Sequence, residues 1–241
     1  MCVLNDRKTF LLGIVTIILL WSCQKEEPPK RNGTIIDYPT QITLDSGYSK
    51  IDFAGTTLAI YAPNSLQKYD NLIVAFPPTN GTNTLIRALV KHVADSLNAL
   101  VLSPTWIENE YQYALMISSL ISLDKIKDVP KYFVGYSAGG SDAFVEAQRL
   151  GKEKIKGLVL LAAGRGTNDF LNIQKPPLMK ICFCTGTADF VYPANVQLYQ
   201  DLLGLNKEMK FIEIEGFDHG DMFSTGYPEQ IAECFNYVSM N

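Results

Sequence analysis

A chain of 241 residues has room for one substantial domain, and 47% apolar against 19% charged residues argues against a disordered chain. The formal net charge of −4 is mild and no basic patch stands out, which argues against nucleic acid as a partner. With two histidines in the whole chain, a zinc site of the usual Cys/His kind is disfavoured, and nothing calls for a metal or cofactor.

In chain order the first expected element is a leader. Arg7 and Lys8 precede an apolar run from Phe10 to Trp21. That run is shorter than the roughly 20 residues a membrane-spanning helix needs, and it fits the h-region of a secretory signal. The ending Leu20-Trp21-Ser22-Cys23 resembles a bacterial lipobox, in which the cysteine becomes the lipidated first residue of the mature protein. An ordinary signal peptide or a signal anchor is the alternative. Gln24-Lys25-Glu26-Glu27 resembles the acidic export tag of surface lipoproteins. Residues 1–22 are therefore expected to be a signal peptide, 23–33 a charged, proline-containing tether, and 34–241 the globular domain. The expected location is the bacterial cell envelope. A lipid anchor on Cys23 is the membrane attachment, with surface display one orientation.

Short apolar runs then alternate with helical spacing. Ile51–Phe53 and Thr57–Tyr61 read as a hairpin around Ala54-Gly55-Thr56. Leu72 to Phe76 reads as a strand buried on both faces, and Leu85, Ile86, Leu89, Val93 and Leu97 as one stripe of a helix. Further strands are expected at Ala99–Leu102, Tyr132–Val134, Leu158–Leu161, Lys180–Cys184 and Phe211–Ile214. Further helices are expected over Tyr113–Leu123, Ala138–Leu150, Ala194–Leu203 and Glu229–Val238. This alternation predicts an α/β fold. Its mainly parallel sheet carries helices on both faces and an antiparallel hairpin at its start, with no large lid. Cys182 and Cys184 sit two apart in a strand, so both face one side. Buried thiols acting as small hydrophobes are the favoured reading, and one bridge to Cys234 is the alternative.

Gly135-Tyr136-Ser137-Ala138-Gly139 is a G-x-S-x-G pattern between an expected strand and an expected helix. That context demands a sharp turn holding Ser137 in strained backbone geometry, with small residues on either side. Ser137 is the candidate nucleophile, and the Ala138 N–H at the helix N-terminus is one oxyanion donor. A serine needs a base. His92 lies within a predicted helix and reads as solvated. His219, in Gly216-Phe217-Asp218-His219-Gly220 after the last strand, is the candidate base. The orienting acid is Asp189, directly after the Lys180–Cys184 strand, with Asp169 in reserve; Asp218 and Asp221 are expected to shape the histidine loop. The second oxyanion donor is expected after Leu72–Phe76. Pro77 and Pro78 have no N–H, so Thr79 or Asn80 must supply it. Trp106, Tyr136 and Phe190 are candidates for lining a substrate pocket.

These residues resemble the α/β-hydrolase superfamily. More narrowly, they are similar to the small exported esterases of the feruloyl/acetyl-xylan esterase and polyhydroxybutyrate-depolymerase-like branch. Ala59 to Pro63, the Gly135–Gly140 elbow, Gly186 to Pro193 and Asp218-His219-Gly220 carry the likeness. One departure is Pro77-Pro78, where such enzymes usually have His-Gly. The resemblance implies hydrolysis of carboxylic esters, including acyl groups on polysaccharide, through an acyl-enzyme on Ser137 without a cofactor. A serine peptidase of the same fold and a non-catalytic carbohydrate-binding lipoprotein are the rival readings.

Overall fold

The structure is a computed structural model and describes residues 38–42, 46–63, 68–78, 82–107, 110–163, 178–221 and 227–240. All of these lie in the unit Ile36–Asn241. The expected signal peptide, the tether and Cys23 lie outside the described residues, as do Thr79, Asn80 and Asp169.

Each short apolar run has become a strand. In order they are β1 (Gly47–Phe53), β2 (Thr56–Ala62), β3 (Asn71–Phe76), β4 (Ala99–Pro104), β5 (Lys131–Tyr136), β6 (Gly157–Leu161), β7 (Lys180–Gly186) and β8 (Met209–Ile214). The helices are α1 (Asn83–Leu97), α2 (Glu110–Leu120), α3 (Ala138–Leu150), α4 (Tyr192–Leu203) and α5 (Pro228–Ser239). The strands form one eight-stranded sheet in the order β1-β2-β4-β3-β5-β6-β7-β8. β1 and β2 are antiparallel, as are β2 and β4; the pairs from β4 onward are parallel. The hairpin turn is Ala54-Gly55, both with positive φ (53° and 82°), as a tight two-residue connection between twisted strands requires.

Burial follows from the strand period of two. Leu72, Val74 and Phe76 face one core with Tyr113 of α2, Phe144 of α3 and Leu198 of α4. Ile73 and Ala75 face the other with Val90 of α1 and Phe235 of α5. Each such fully buried aliphatic or aromatic side chain contributes roughly 1.5–3 kcal/mol. β1 is an edge strand and alternates between half-buried and exposed residues instead.

Three expectations change. Leu85 is 39% exposed, and Val90 takes its place on the buried face of α1. α4 begins at Tyr192, because Pro193 sits in the first turn, where its missing N–H has no intrahelical partner to lose. The cysteines are not three thiols: Cys182 of β7 is bonded to Cys234 of α5, and Cys184 is left free and buried. Cys182 and Cys184 do share one face of the sheet and one core cluster with α5, and Cys182 is the one bonded to Cys234. Closing this 52-residue separation stabilises the domain by about 2–4 kcal/mol, and burial pushes the remaining Cys184 thiol up to about 12.

Candidate active site

The parallel strands deliver their carboxyl ends to one edge of the sheet, and the loops there carry the candidate residues. β5 stops at Tyr136 and α3 starts at Ala138, so Ser137 alone makes the turn, with φ 53° and ψ −127°. For a residue with a side chain this backbone costs on the order of 1–3 kcal/mol and persists only where its surroundings enforce it. The Ser137 N–H donates to the Leu161 carbonyl at 3.0 Å, and the Gly140 N–H donates to the Ser137 carbonyl at 2.9 Å.

The neighbouring glycines are required by contact. A Cβ on Gly135 would lie 2.2 Å from the Gly139 oxygen. One on Gly139 would lie 2.3 Å from the Phe76 oxygen and 2.4 Å from the Pro77 oxygen. One on Gly140 would lie 2.5 Å from the Ala163 Cβ. The helix is thereby pressed onto the ends of β3 and β5. Ala138 opens α3, and the first N–H groups of a helix have no i−4 acceptor within it.

His219 follows β8. Its Nε2 lies 3.0 Å from Ser137 Oγ, and its Nδ1 lies 3.0 and 2.9 Å from the two Asp189 carboxylate oxygens. A carboxylate only accepts, so Nδ1 carries the proton and Nε2 presents its lone pair to the serine hydroxyl. The Asp189 side chain is 1% exposed and also accepts the Val191 N–H at 2.9 Å; the His219 side chain is 21% exposed. The loops bearing Asp189 and His219 are laced together. Ala188 N–H donates to the Phe217 carbonyl, Gly216 N–H to Thr187 Oγ1, and Thr187 N–H to the Ile214 carbonyl. Beyond the histidine, Asp218 Oδ1 accepts the N–H groups of Gly220 and Asp221. Gly186 and Thr187 belong to the segment that carries the family likeness, but their part in joining the two loops is seen only in the structure.

Of the expected pocket residues, Phe190 is 75% exposed and its ring centre lies 4.6 Å from that of His219. Trp106 is 42% exposed on the loop beyond β4. Tyr136 does not line an open pocket: it is 1% exposed, its ring stacks on His219 at 5.1 Å, and its hydroxyl donates to the His219 carbonyl at 2.6 Å. As a β5 residue it points into the sheet's core, not toward solvent. His92 is not simply solvated either; its ring Nε2 lies 2.6 Å from the Pro228 carbonyl, tying α1 to α5. Among the described residues no group of three His, Cys, Asp or Glu side chains could hold a metal ion. No helix among them is long and apolar enough to cross a membrane.

The fold recurs in solved structures. FphF from Staphylococcus aureus, a fluorophosphonate-binding serine hydrolase, is 14% identical; the match covers 81% of this chain and 100% of FphF, with a TM-score of 0.60. Est1E from Butyrivibrio proteoclasticus is 17% identical over 81% of this chain and 100% of its own, with a TM-score of 0.59. MGS-MChE2, an α/β-hydrolase enzyme from a lagoon-sediment metagenome, is 16% identical over 78% and 96%, with a TM-score of 0.56. The chain has the α/β-hydrolase fold. At these identities the likeness extends to the fold alone. No protein-family model matches the chain, and no curated protein matches it.

The lacing of the two loops is testable at Gly186, where a Cβ would lie 2.1 Å from the Phe217 oxygen. Gly186→Ala is expected to destabilise the domain by about 1–3 kcal/mol in denaturant unfolding, because backbone has to move. Gly204→Ala serves as the control. Its φ is −72° and no atom lies within 4 Å of the added Cβ, so stability should hold or rise by up to about 1 kcal/mol. Equal behaviour of the two variants would contradict the close approach.

Proposed function

We propose that this protein is a serine hydrolase that cleaves carboxylic esters through an acyl-enzyme on Ser137. The observation that carries the reading is the 3.0 Å contact between Ser137 Oγ and His219 Nε2, with buried Asp189 on the other ring nitrogen. His219 takes the serine proton as Oγ attacks the ester carbonyl, and returns it to the departing alkoxide. Asp189 keeps the imidazole in the required tautomer and stabilises the imidazolium while it exists. The Ala138 N–H and a backbone N–H from Thr79, with Asn80 as alternative, hold the oxyanion. In the second half His219 deprotonates water as it attacks the acyl carbonyl, then gives that proton to Ser137 Oγ as the carboxylic acid departs.

Exposed Phe190 beside the base supports an apolar or aromatic group on the substrate. Est1E, which shares the fold, has been solved with ferulic acid bound. An acyl group esterified to polysaccharide fits both features and a surface anchor. The sequence after Trp21 supports export and lipidation at Cys23, and the Cys182–Cys234 bridge supports an oxidising compartment.

Two measurements test this reading. Wild-type protein is expected to hydrolyse acetyl or feruloyl esters faster than matching amides, and Ser137→Ala to lower kcat by at least about a thousandfold. Faster amide cleavage would turn the reading to a peptidase; binding of acylated polysaccharide with no Ser137-dependent turnover would turn it to a carbohydrate-binding protein. Full-length protein expressed in a bacterial host is expected to incorporate labelled palmitate, and Cys23→Ala to lose the label. Undiminished label in that variant would overturn the anchor.

A further inference from the structure

The imidazole of His219 has a buried ring and an exposed ring beside it. Tyr136 supports it from within the sheet, its ring centre 5.1 Å away and its plane inclined by 29°. Phe190 covers it from the solvent side at 4.6 Å. Burial, together with the charges of Asp189 and Asp218, pushes the Tyr136 phenol well above its ordinary range, so its hydroxyl keeps its proton and acts as a donor. The acceptor is the backbone carbonyl of His219, 2.6 Å away.

The rest of the histidine loop is anchored on either side of this point. Before it, Thr187 Oγ1 accepts the Gly216 N–H at 2.8 Å and the Phe217 carbonyl accepts the Ala188 N–H at 3.0 Å. After it, Asp218 Oδ1 accepts the Gly220 N–H at 2.7 Å. Those bonds orient the loop relative to β7 or to itself. The Tyr136 hydroxyl bond refers the loop to β5, and Tyr136 is the residue directly before Ser137. One side chain therefore joins the peptide of the base to the strand that carries the nucleophile.

We propose that Tyr136 is a positioning residue, whose hydroxyl bond to the His219 carbonyl sets the separation between His219 Nε2 and Ser137 Oγ. The inference rests on the assignment of Ser137 and His219 as nucleophile and base. Its physical basis is that proton transfer is steep in distance: a displacement of about 1 Å costs on the order of a hundredfold in rate. The stacked ring restrains the imidazole's tilt, whereas the hydroxyl restrains the distance of its backbone from β5.

The test is a double-mutant cycle on covalent labelling of Ser137 by a fluorophosphonate, followed as a pseudo-first-order rate constant. Tyr136→Phe keeps the ring and removes only the hydroxyl. It is expected to label about tenfold more slowly than wild type. His219→Ala is expected to label far more slowly still, and adding Tyr136→Phe to it should change nothing further, because there is then no base to position. Circular dichroism and denaturant unfolding of each variant report its folded fraction independently, so partial unfolding is read separately from the labelling rate constant. An undiminished rate in Tyr136→Phe, with His219→Ala slow, would overturn the role of Tyr136 alone. The same factor of loss in both backgrounds would overturn it too, as a general structural effect. A wild-type rate in His219→Ala would instead overturn the assignment of the base.

Discussion

The structure depends on one strained residue. Ser137 holds φ 53° and ψ −127° because the chain must turn from the end of β5 into α3 within a single residue. That turn lifts the hydroxyl above the sheet edge and points the first N–H groups of α3 at the space beside it. The strain is offset by what the turn allows. α3 lies close enough to the sheet for Ala143, Phe144 and Ala147 to be buried against it. The three glycines around Ser137 are the condition for that approach, since a methyl group at any of them would meet another atom at 2.2–2.5 Å.

The other side chains of the site are placed by the same parallel topology. β7 and β8 run beside β5 and β6, so the loop bearing Asp189 and the loop bearing His219 emerge at the edge where Ser137 turns. The Asp189 loop donates two backbone bonds to the His219 loop and accepts one on the Thr187 hydroxyl. This makes the Asp189 and His219 loops one unit docked against the strand that leads into Ser137. Tyr136 is the side chain that reaches across from that strand to the unit. The Cys182–Cys234 bridge lies deeper, pinning α5 to β7 below the same loops. It thereby fixes the strand from which the acid loop departs.

Much of this was legible in the sequence, for physical reasons. Strands buried on both faces need unbroken apolar runs, so Leu72–Phe76 and Leu158–Leu161 announce themselves. A serine flanked by glycines between such a strand and a helix has few other readings. The residues that escaped depend on direction rather than on type. Nothing in the period of two separates Cys182 from Cys184, since both face α5's side; only the packing of α5 along β7 selects Cys182. Tyr136 was expected at a substrate pocket because aromatic rings serve pockets and cores alike, and only its depth in β5 decides between them. Likewise, an imidazole in the middle of α1 reads as solvated until α5 brings the Pro228 carbonyl within 2.6 Å of it. Pro193 lies in the first turn of a helix expected to start only at Ala194, because its fixed φ suits a first turn as well as a break.

The central claim is that Ser137 is an activated nucleophile, and the most direct measurement is the site of a covalent phosphonate adduct. Folded protein treated with an alkyl fluorophosphonate and digested is expected to carry one adduct per chain, on the peptide containing Ser137, and Ser137→Ala is expected to carry none. An adduct elsewhere, or an unmodified Ser137 peptide from protein that is fully folded, would contradict the account.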